Sequence, residues 1–230
     1  MRGQINQGLA AAWPICLGYF PIGLSLGVLA QKAGLLPWQM AAMSILVFAG
    51  GSQFITVAML GTGASPLAII STVFMVNLRH LLMSSALSVH FPGVSRRFLA
   101  LFAYGITDES FAVNMTRFNQ GEWDRRSALT LNHAANSTWI TSTVIGVYLG
   151  QLVPPGAAGV DYALSGMFIC LLMFQLRSLI FTVTAVIAAA CSLLAYLWLP
   201  GNAYVIAASC LAATAGLVLK RTLLKRGAIA

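Results

Sequence analysis

The chain has 230 residues, of which 59% are hydrophobic and only 8% are charged, and its formal net charge is +8. A soluble domain carries about 25% charged residues, and the apolar runs here are too long and too numerous for one soluble core. The composition therefore excludes an ordinary soluble protein and predicts an all-α integral membrane protein.

The apolar runs define the predicted helices. A bilayer core about 30 Å thick needs about 20 apolar residues in each spanning helix. The candidate spans in chain order are residues 9–31, 39–60, 66–89, 98–118, 128–153, 162–176, 178–199 and 203–219. The sixth and seventh are separated by so few polar residues that they could form one bent element. We expect a polytopic bundle of seven or eight transmembrane helices, with eight preferred, in a single domain over residues 1–230.

The first span and the distribution of charge predict the orientation. The first span is longer than the apolar core of about 7–15 residues in a signal peptide, so we expect it to be retained. With eight spans, one side collects Arg2, Arg117, Arg125, Arg126, Arg177, Lys220, Arg221, Lys225 and Arg226. The other side holds Lys32, Arg96 and Arg97. The positive-inside bias places both termini in the cytoplasm and accounts for the basic tail KRTLLKRG without a nucleic-acid partner.

The second span contains a cluster that favours an interrupted helix. Gly50, Gly51, Ser52 and Gln53 follow one another inside an apolar run. Unwound backbone inside a membrane is tolerated only where it is buried or lines a cavity, and broken helices of this kind bind small ions and zwitterions in transporters. We therefore predict a break near the midplane at residues 50–53. In the first span, Gly23 and Gly27 form a GxxxG pattern that predicts close approach of another helix.

The third span carries the most unusual stretch, FMVNLRHLLMSS. At about 100° per residue, Asn77, His80, Ser84 and Ser88 share one face, whereas Arg79 points almost to the opposite side. Lipid can hardly cover two polar faces, so we expect this helix to be surrounded by protein or to line water. His80 has an ordinary pKa close to physiological pH and is a candidate proton relay. It could equally be a hydrogen-bonded packing residue.

The fourth span supplies the acidic side chains in the stretch AYGITDESFAVNM. Asp108 and Glu109 leave a helix about 100° apart, so both need not face one partner. Tyr104 lies four residues before Asp108, and in a continuous helix the two can hydrogen-bond. One interpretation is a structural ion pair between Arg79 and a carboxylate. The other is a substrate or proton site, because ionisable residues inside a membrane are functional by default.

Enzyme, metal and disulfide chemistry have little support. Cys16, Cys170, Cys191 and Cys210 lie in apolar runs without a CxxC pair and predict free thiols. No Walker loop, HExxH or GxSxG pattern is present. We expect no catalytic residues, no metal and no cofactor. A membrane enzyme acting through the carboxylates and histidines is the weakest hypothesis.

Two halves can be drawn around the most polar loop, residues 117–126, and would cover residues 1–118 and 128–230. Many transporters descend from internal repeats. A loose match between PIGLSLGVLAQKAGLLP and ITSTVIGVYLGQLVPP is compatible with a duplication.

Four blocks together resemble a known family. FPIGLSLG, FAGGSQF, NLRHLLMSSAL and TDESFAV are similar to motifs of the AzlC family, the large subunits of bacterial branched-chain amino acid exporters. The middle block usually reads FAGxxQF or close to it, and the second glycine here is a minor departure. The resemblance is strongest from residue 19 to residue 113.

The resemblance implies a secondary exporter of valine, leucine, isoleucine and methionine in the bacterial inner membrane. It also implies a small AzlD-like membrane subunit needed for activity. In this hypothesis the transporter is proton-coupled, and Gly50, Gly51, Ser52, Gln53, Asn77 and Arg79 bind substrate. Asp108, Glu109 and His80 carry the proton or meet the ammonium group. The alternative is a structural or assembly subunit whose Arg79–carboxylate pair merely holds helices together.

Overall fold

The computed structural model describes residues 2–121, 123–152, 166, 169, 172, 173, 176, 179–198, 208, 211, 212, 214–219 and 221. Over these residues the chain forms helices joined by turns, without a β-strand. The helices are α1 (Arg2–Lys32), α2 (Pro37–Leu46), α3 (Gly50–Gly61), α4 (Pro66–Ser88), α5 (Arg96–Tyr104), α6 (Asp108–Asn119), α7 (Arg125–Gly150) and α8 (Leu179–Trp198). The all-helical prediction is confirmed.

Three of the described helices are long and apolar enough to cross a membrane: Gly3–Lys32 within α1, Pro66–Ser88 and Leu179–Trp198. They correspond to the first, third and seventh predicted spans. The structure describes 5 of the 15 residues in the predicted span 162–176 and 9 of the 17 in 203–219, and Cys170 and Cys210 lie outside the described residues. The total of seven or eight helices therefore stays a prediction.

The chain divides into two compact units. The first comprises Met1–Ser65 and Val76–Leu164, and it contains α1 to α3, most of α4 and α5 to α7. The second comprises Pro66–Met75 and Ser165–Ala230, and it contains the first turns of α4 together with α8. An internal repeat with halves 1–118 and 128–230 stays a prediction.

The predicted break in the second span exists, but it lies earlier than expected. Helix α2 ends at Leu46 and α3 begins at Gly50, so the non-helical residues are 47–49. Residues 50–53 are not unwound; they form the first turn of α3. Glycine weakens a helix least in that turn, where the first N–H groups lack an intrahelical partner in any case.

A second break interrupts the span 98–118, which was wrongly predicted to be continuous. Helix α5 ends at Tyr104 and α6 begins at Asp108. Thr107 caps α6: its Oγ1 accepts a hydrogen bond from the Ser110 N–H at 3.3 Å, and Ser110 Oγ accepts from the Thr107 N–H at 2.9 Å. This reciprocal capping box is typical of a helix start. The carboxylates of Asp108 and Glu109 lie in the first turn, where their negative charge interacts favourably with the positive end of the helix dipole.

Helices α1 and α7 make the most extensive contact between described helices. Glycines make the close approach possible. A Cβ atom on Gly27 would collide with the backbone of Thr143 and Val147, and one on Gly146 would collide with the Leu24 carbonyl. The predicted role of the GxxxG pattern is confirmed, because only glycine leaves room for backbone-to-backbone packing here.

Helix α4 has few buried residues. Of its residues only Thr72, Met83 and Leu87 are buried, whereas Leu67 is 74% and Leu82 is 71% exposed. That protein surrounds this helix or that it lines water stays a prediction. An arginine carries its charge far from its own backbone, so Arg79 reaches an acidic partner although much of α4 is exposed.

Candidate functional site

The centre of the site is an ion pair between α4 and the first residue of α6. Arg79 Nη1 lies 2.6 Å from Asp108 Oδ2, and the two side chains are 39% and 36% exposed. The ion pair of the structural interpretation is therefore present, and a substrate or proton role of these residues stays a prediction. The Nε atom of Arg79 is buried and has no hydrogen-bond partner among the described residues. The guanidinium therefore keeps an unused donor.

The two adjacent carboxylates face different partners, as their angular separation predicted. Glu109 Oε2 lies 2.5 Å from the hydroxyl of Tyr19 on α1. The same hydroxyl lies 2.7 Å from Thr107 Oγ1. Because a hydroxyl has one proton, Tyr19 can donate to only one of these oxygens at a time. Asp108 and Glu109 thus belong to two separate polar groups at one break.

Tyr19 is a site residue that sequence reasoning missed. Its ring is buried and makes edge contacts with Phe48, at a centroid distance of 6.5 Å, and with Trp139, at 5.2 Å. Phe48 lies in the break between α2 and α3. Tyr19 therefore connects α1 to both breaks. A usable signal was present, because a tyrosine inside an apolar span needs a hydrogen-bond partner for its hydroxyl.

The first turn of α3 lies beside the guanidinium. A Cβ atom on Gly51 would be 3.6 Å from Arg79 Nη2. The next residue, Ser52, donates a hydrogen bond from Oγ to Asn77 Oδ1, which ties α3 to α4. His80 Nδ1 lies 3.2 Å from the Asn77 carbonyl oxygen on its own helix. Gly51, Ser52, Asn77 and Arg79 are thus brought together, and their contact with substrate stays a prediction.

Gln53 and Gly50 contact Trp139 of α7, and Gln53 also contacts Ser44 of α2. Gln53 is fully buried; its Nε2 donates to Ser44 Oγ at 3.0 Å, and its Oε1 accepts from Trp139 Nε1 at 2.6 Å. A Cβ atom on Gly50 would be 2.9 Å from the Trp139 ring. Both residues therefore position the break between α2 and α3 against α7. Direct contact of either residue with substrate stays a prediction.

One polar face of α7 serves both breaks. Asn132 Nδ2 donates to the carbonyl of Phe102 at 3.1 Å, near the end of α5. Asn136 Nδ2 lies 3.3 Å from the Tyr104 hydroxyl, which itself donates to the Ile45 carbonyl at 2.7 Å. Carbonyls at the end of a helix lack an intrahelical donor and need one when they are shielded from water. These side chains supply it.

The predicted hydrogen bond between Tyr104 and Asp108 is wrong. The chain breaks between them, so the two residues are no longer one helical turn apart. Tyr104 instead bonds the end of α2, and its ring lies 6.4 Å from that of His133, measured between centroids.

The described part of the chain contains no group of three His, Cys, Asp or Glu side chains that could hold a metal ion. The described cysteines, Cys16 and Cys191, are free. The polar groups around the two breaks are the Arg79–Asp108 ion pair, the Glu109–Tyr19 pair and the neighbouring amide and hydroxyl side chains.

Long apolar helices together with charged side chains at the breaks of interrupted helices define an integral membrane protein. The chain belongs to the AzlC family: the profile described as "AzlC protein" matches residues 14–153. The family predicted from the four sequence blocks is confirmed.

Curated relatives cover most of the chain. It is 31% identical over 170 residues to the inner membrane protein YgaZ of Escherichia coli (strain K12), covering 73% of this chain and 69% of YgaZ. It is 27% identical over 183 residues to the branched-chain amino acid transport protein AzlC of Bacillus subtilis (strain 168), covering 76% and 70%. An uncharacterized membrane protein of Archaeoglobus fulgidus is 31% identical over 177 residues, covering 76% and 77%. No solved structure shows significant similarity to the chain.

Proposed function

We propose that this protein is a proton-coupled secondary exporter of branched-chain amino acids and methionine. It acts in the bacterial inner membrane with both termini in the cytoplasm, as the large subunit of a complex with a small AzlD-like membrane protein. One observation carries the proposal: the partly open ion pair of Arg79 and Asp108 lies beside the first turn of a broken helix. The name of the Bacillus subtilis relative supports transport of this substrate class and favours transport over catalysis.

The ion pair suits a zwitterion. A free amino acid carries one carboxylate and one ammonium group, so it can insert between a guanidinium and a carboxylate without changing the net charge. The substrate carboxylate then pairs with Arg79, whose planar fork fits it, and its ammonium pairs with Asp108. The buried Nε of Arg79, which lacks a partner among the described residues, offers a further donor to the incoming carboxylate.

Small groups line the guanidinium on the side of α3. Gly51 has no side chain, and the first turn of α3 has N–H groups without intrahelical acceptors. A carboxylate bound to Arg79 would also meet the positive end of this helix. Asn77 and Ser52 hold α3 and α4 in register at this point. Loss of either group should weaken substrate binding by changing the position of Arg79.

The test is export in intact cells. A deletion strain fed leucine- and valine-containing dipeptides should accumulate both amino acids, and the restored gene should return them to the wild-type level. The Asp124→Asn variant is a matched control, because Asp124 caps α7 at Arg126 N–H and asparagine caps equally well. Unchanged amino acid pools after deletion would contradict the proposal. Co-purification with the small subunit tests the partner separately.

The assembly-subunit hypothesis has one supporting observation. Arg79 and Asp108 already neutralise each other at 2.6 Å, which a purely structural pair would also do. Under this hypothesis deletion leaves amino acid efflux intact, while another membrane complex fails to assemble. The same deletion strain therefore separates the two functions.

A further inference from the structure

We propose that Glu109 is the proton-carrying carboxyl of this protein, and that Tyr19 and Thr107 form the switchable hydrogen-bond chain that serves its two protonation states. The inference rests on the proposed function, in which a proton drives export. It assigns the proton to Glu109 and leaves Asp108 to the ion pair with Arg79.

The first argument is the difference in partners. Asp108 has a cation within 2.6 Å, and a paired carboxylate loses that attraction when it takes up a proton. Glu109 has a neutral partner, the Tyr19 hydroxyl at 2.5 Å, and no basic partner among the described residues. Glu109 can therefore gain and lose a proton without breaking an ion pair.

The second argument is the geometry of three oxygens in a row. Tyr19 Oη lies 2.5 Å from Glu109 Oε2 and 2.7 Å from Thr107 Oγ1. When Glu109 is ionised, Tyr19 donates to it and Thr107 donates to Tyr19. When Glu109 is protonated, its O–H donates to Tyr19 and Tyr19 donates to Thr107. Tyr19 links Glu109 to Thr107 in both states, and the added proton is the only atom that enters.

The third argument is the connection to the rest of the site. Thr107 is the N-cap of α6, and its Oγ1 also accepts from the Ser110 N–H. A proton on Glu109 reverses the donors around this cap, and it removes a negative charge next to Asp108. The ring of Tyr19 contacts Phe48 in the other break. Protonation of Glu109 therefore changes the hydrogen bonds at the cap of α6 and the charge beside the Arg79–Asp108 pair, and Tyr19 connects these changes to both interrupted helices.

The other titratable groups around Glu109 have their own positions. On α4 they are Arg79, which pairs with Asp108, and His80, which lies against the Asn77 carbonyl. On α7, His133 lies beside Tyr104 of α5. Helices α2 and α3 contain no charged side chain. The remaining charged residues among those described are Arg2, Lys32, Arg96, Arg97, Arg117, Asp124, Arg125, Arg126 and Arg221, and all except Arg221 are at or beyond the ends of α1, α5, α6 or α7.

The decisive measurement does not depend on transport. Infrared difference spectra of the purified chain between acidic and alkaline pH report the C=O stretch of protonated carboxyls. We expect a band in the wild type and in the Asp124→Asn control that is lost in Glu109→Gln. Tyr19→Phe should keep the band but move it to higher frequency, because the carboxyl loses a hydrogen bond. Tyr148→Phe, at an exposed position of α7, should not move it.

Transport in membrane vesicles supplies the second readout. Glu109→Gln should lose net leucine transport driven by a pH gradient. It should retain the exchange of leucine across a membrane with equal concentrations on both sides. The rate of that exchange should no longer depend on pH. Persistence of the carboxyl band, or of gradient-driven transport, in Glu109→Gln would overturn the proposal. If this variant does not accumulate, the frequency in Tyr19→Phe decides, and an unchanged band overturns it. A wild type that shows the Glu109 band but moves no branched-chain amino acid would refute the proposed function and not this assignment.

Discussion

Gln53 at the start of α3 and Trp139 in the middle of α7 are joined by a hydrogen bond of 2.6 Å from the indole Nε1 to the amide oxygen. Gln53 is fully buried, and its amide nitrogen donates to Ser44 on α2. The two halves of the interrupted helix are therefore held to each other and to α7 by one amide group. This arrangement fixes the position of the break from which α3 approaches Arg79.

Trp139→Phe tests the importance of that hydrogen bond. The substitution keeps an aromatic ring but leaves the buried Gln53 oxygen without its donor, which costs about 1–3 kcal/mol. We expect a lower thermal unfolding temperature of the purified protein in detergent. Trp38→Phe is the control, since Trp38 is 67% exposed on α2 and should tolerate the change. Equal unfolding temperatures for the two variants would contradict the structural role of the bond.

Asp108→Asn and Glu109→Gln should have different consequences, because the two side chains face different partners. Asp108→Asn leaves Arg79 without its counter-charge, and breaking such a pair costs about 3–5 kcal/mol when it is buried and less at this partial exposure. We expect this variant to reach the membrane in reduced amount. Glu109→Gln keeps a hydrogen-bonding group beside Tyr19, so it should accumulate normally and lose export. Quantitative immunoblotting of membranes beside an efflux assay measures both, and normal activity in both variants would remove these residues from the mechanism.

Arg79→Lys separates the charge from the shape of the guanidinium. Lysine keeps the positive charge but loses the planar fork that binds a carboxylate through two parallel hydrogen bonds. We expect transport to fall by more than the amount of protein in the membrane. Transport per molecule, from efflux normalised to immunoblot signal, gives the comparison. Normal transport by Arg79→Lys would mean that a point charge is sufficient.

Gly27→Val tests the close contact between α1 and α7. The added side chain would collide with the backbone of Thr143 and Val147, which cannot move as a flexible side chain can. Overpacking of this kind costs about 1–3 kcal/mol or more, so we expect less protein in the membrane and a lower unfolding temperature. Gly18→Val is the matched control on the same helix, because nothing lies within 4 Å of a Cβ atom there. A similar loss in both variants would point to helix propensity and away from packing.

Substrate range should be broad among apolar amino acids of medium size. One methylene in an apolar pocket discriminates by only about 1–3 kcal/mol, so valine, leucine, isoleucine and methionine should compete. Glutamate and lysine should not, since their side chains would enter with an unpaired charge, which is strongly unfavourable away from water. Competition for efflux in proteoliposomes that hold both subunits measures the range. Strong inhibition by lysine or glutamate without inhibition by methionine would contradict the pairing of Arg79 and Asp108 with the two ends of the substrate.

The sequence alone determined the membrane class, the long apolar helices and the family, and it offered a carboxylate as one interpretation of the partner of Arg79. Each of these follows from local information. The length of an apolar run predicts a membrane-spanning helix. A charge inside such a run requires a partner. The angle of about 100° per residue in a helix separates Asp108 from Glu109. The glycines of α1 also predicted a close helix neighbour.

The tertiary structure decided the details that depend on residues far apart in sequence. The break at residues 105–107 could have been anticipated from Thr107 and Ser110, whose capping box is a local signal, but its stability inside an apolar region depends on donors from α7. Tyr19 acquires its role only when α1 is placed beside Glu109. Gln53 became a packing residue because Trp139 and Ser44 occupy both ends of its amide. A side chain's residue type states which hydrogen bonds it can make, and only the folded chain determines which partners are present.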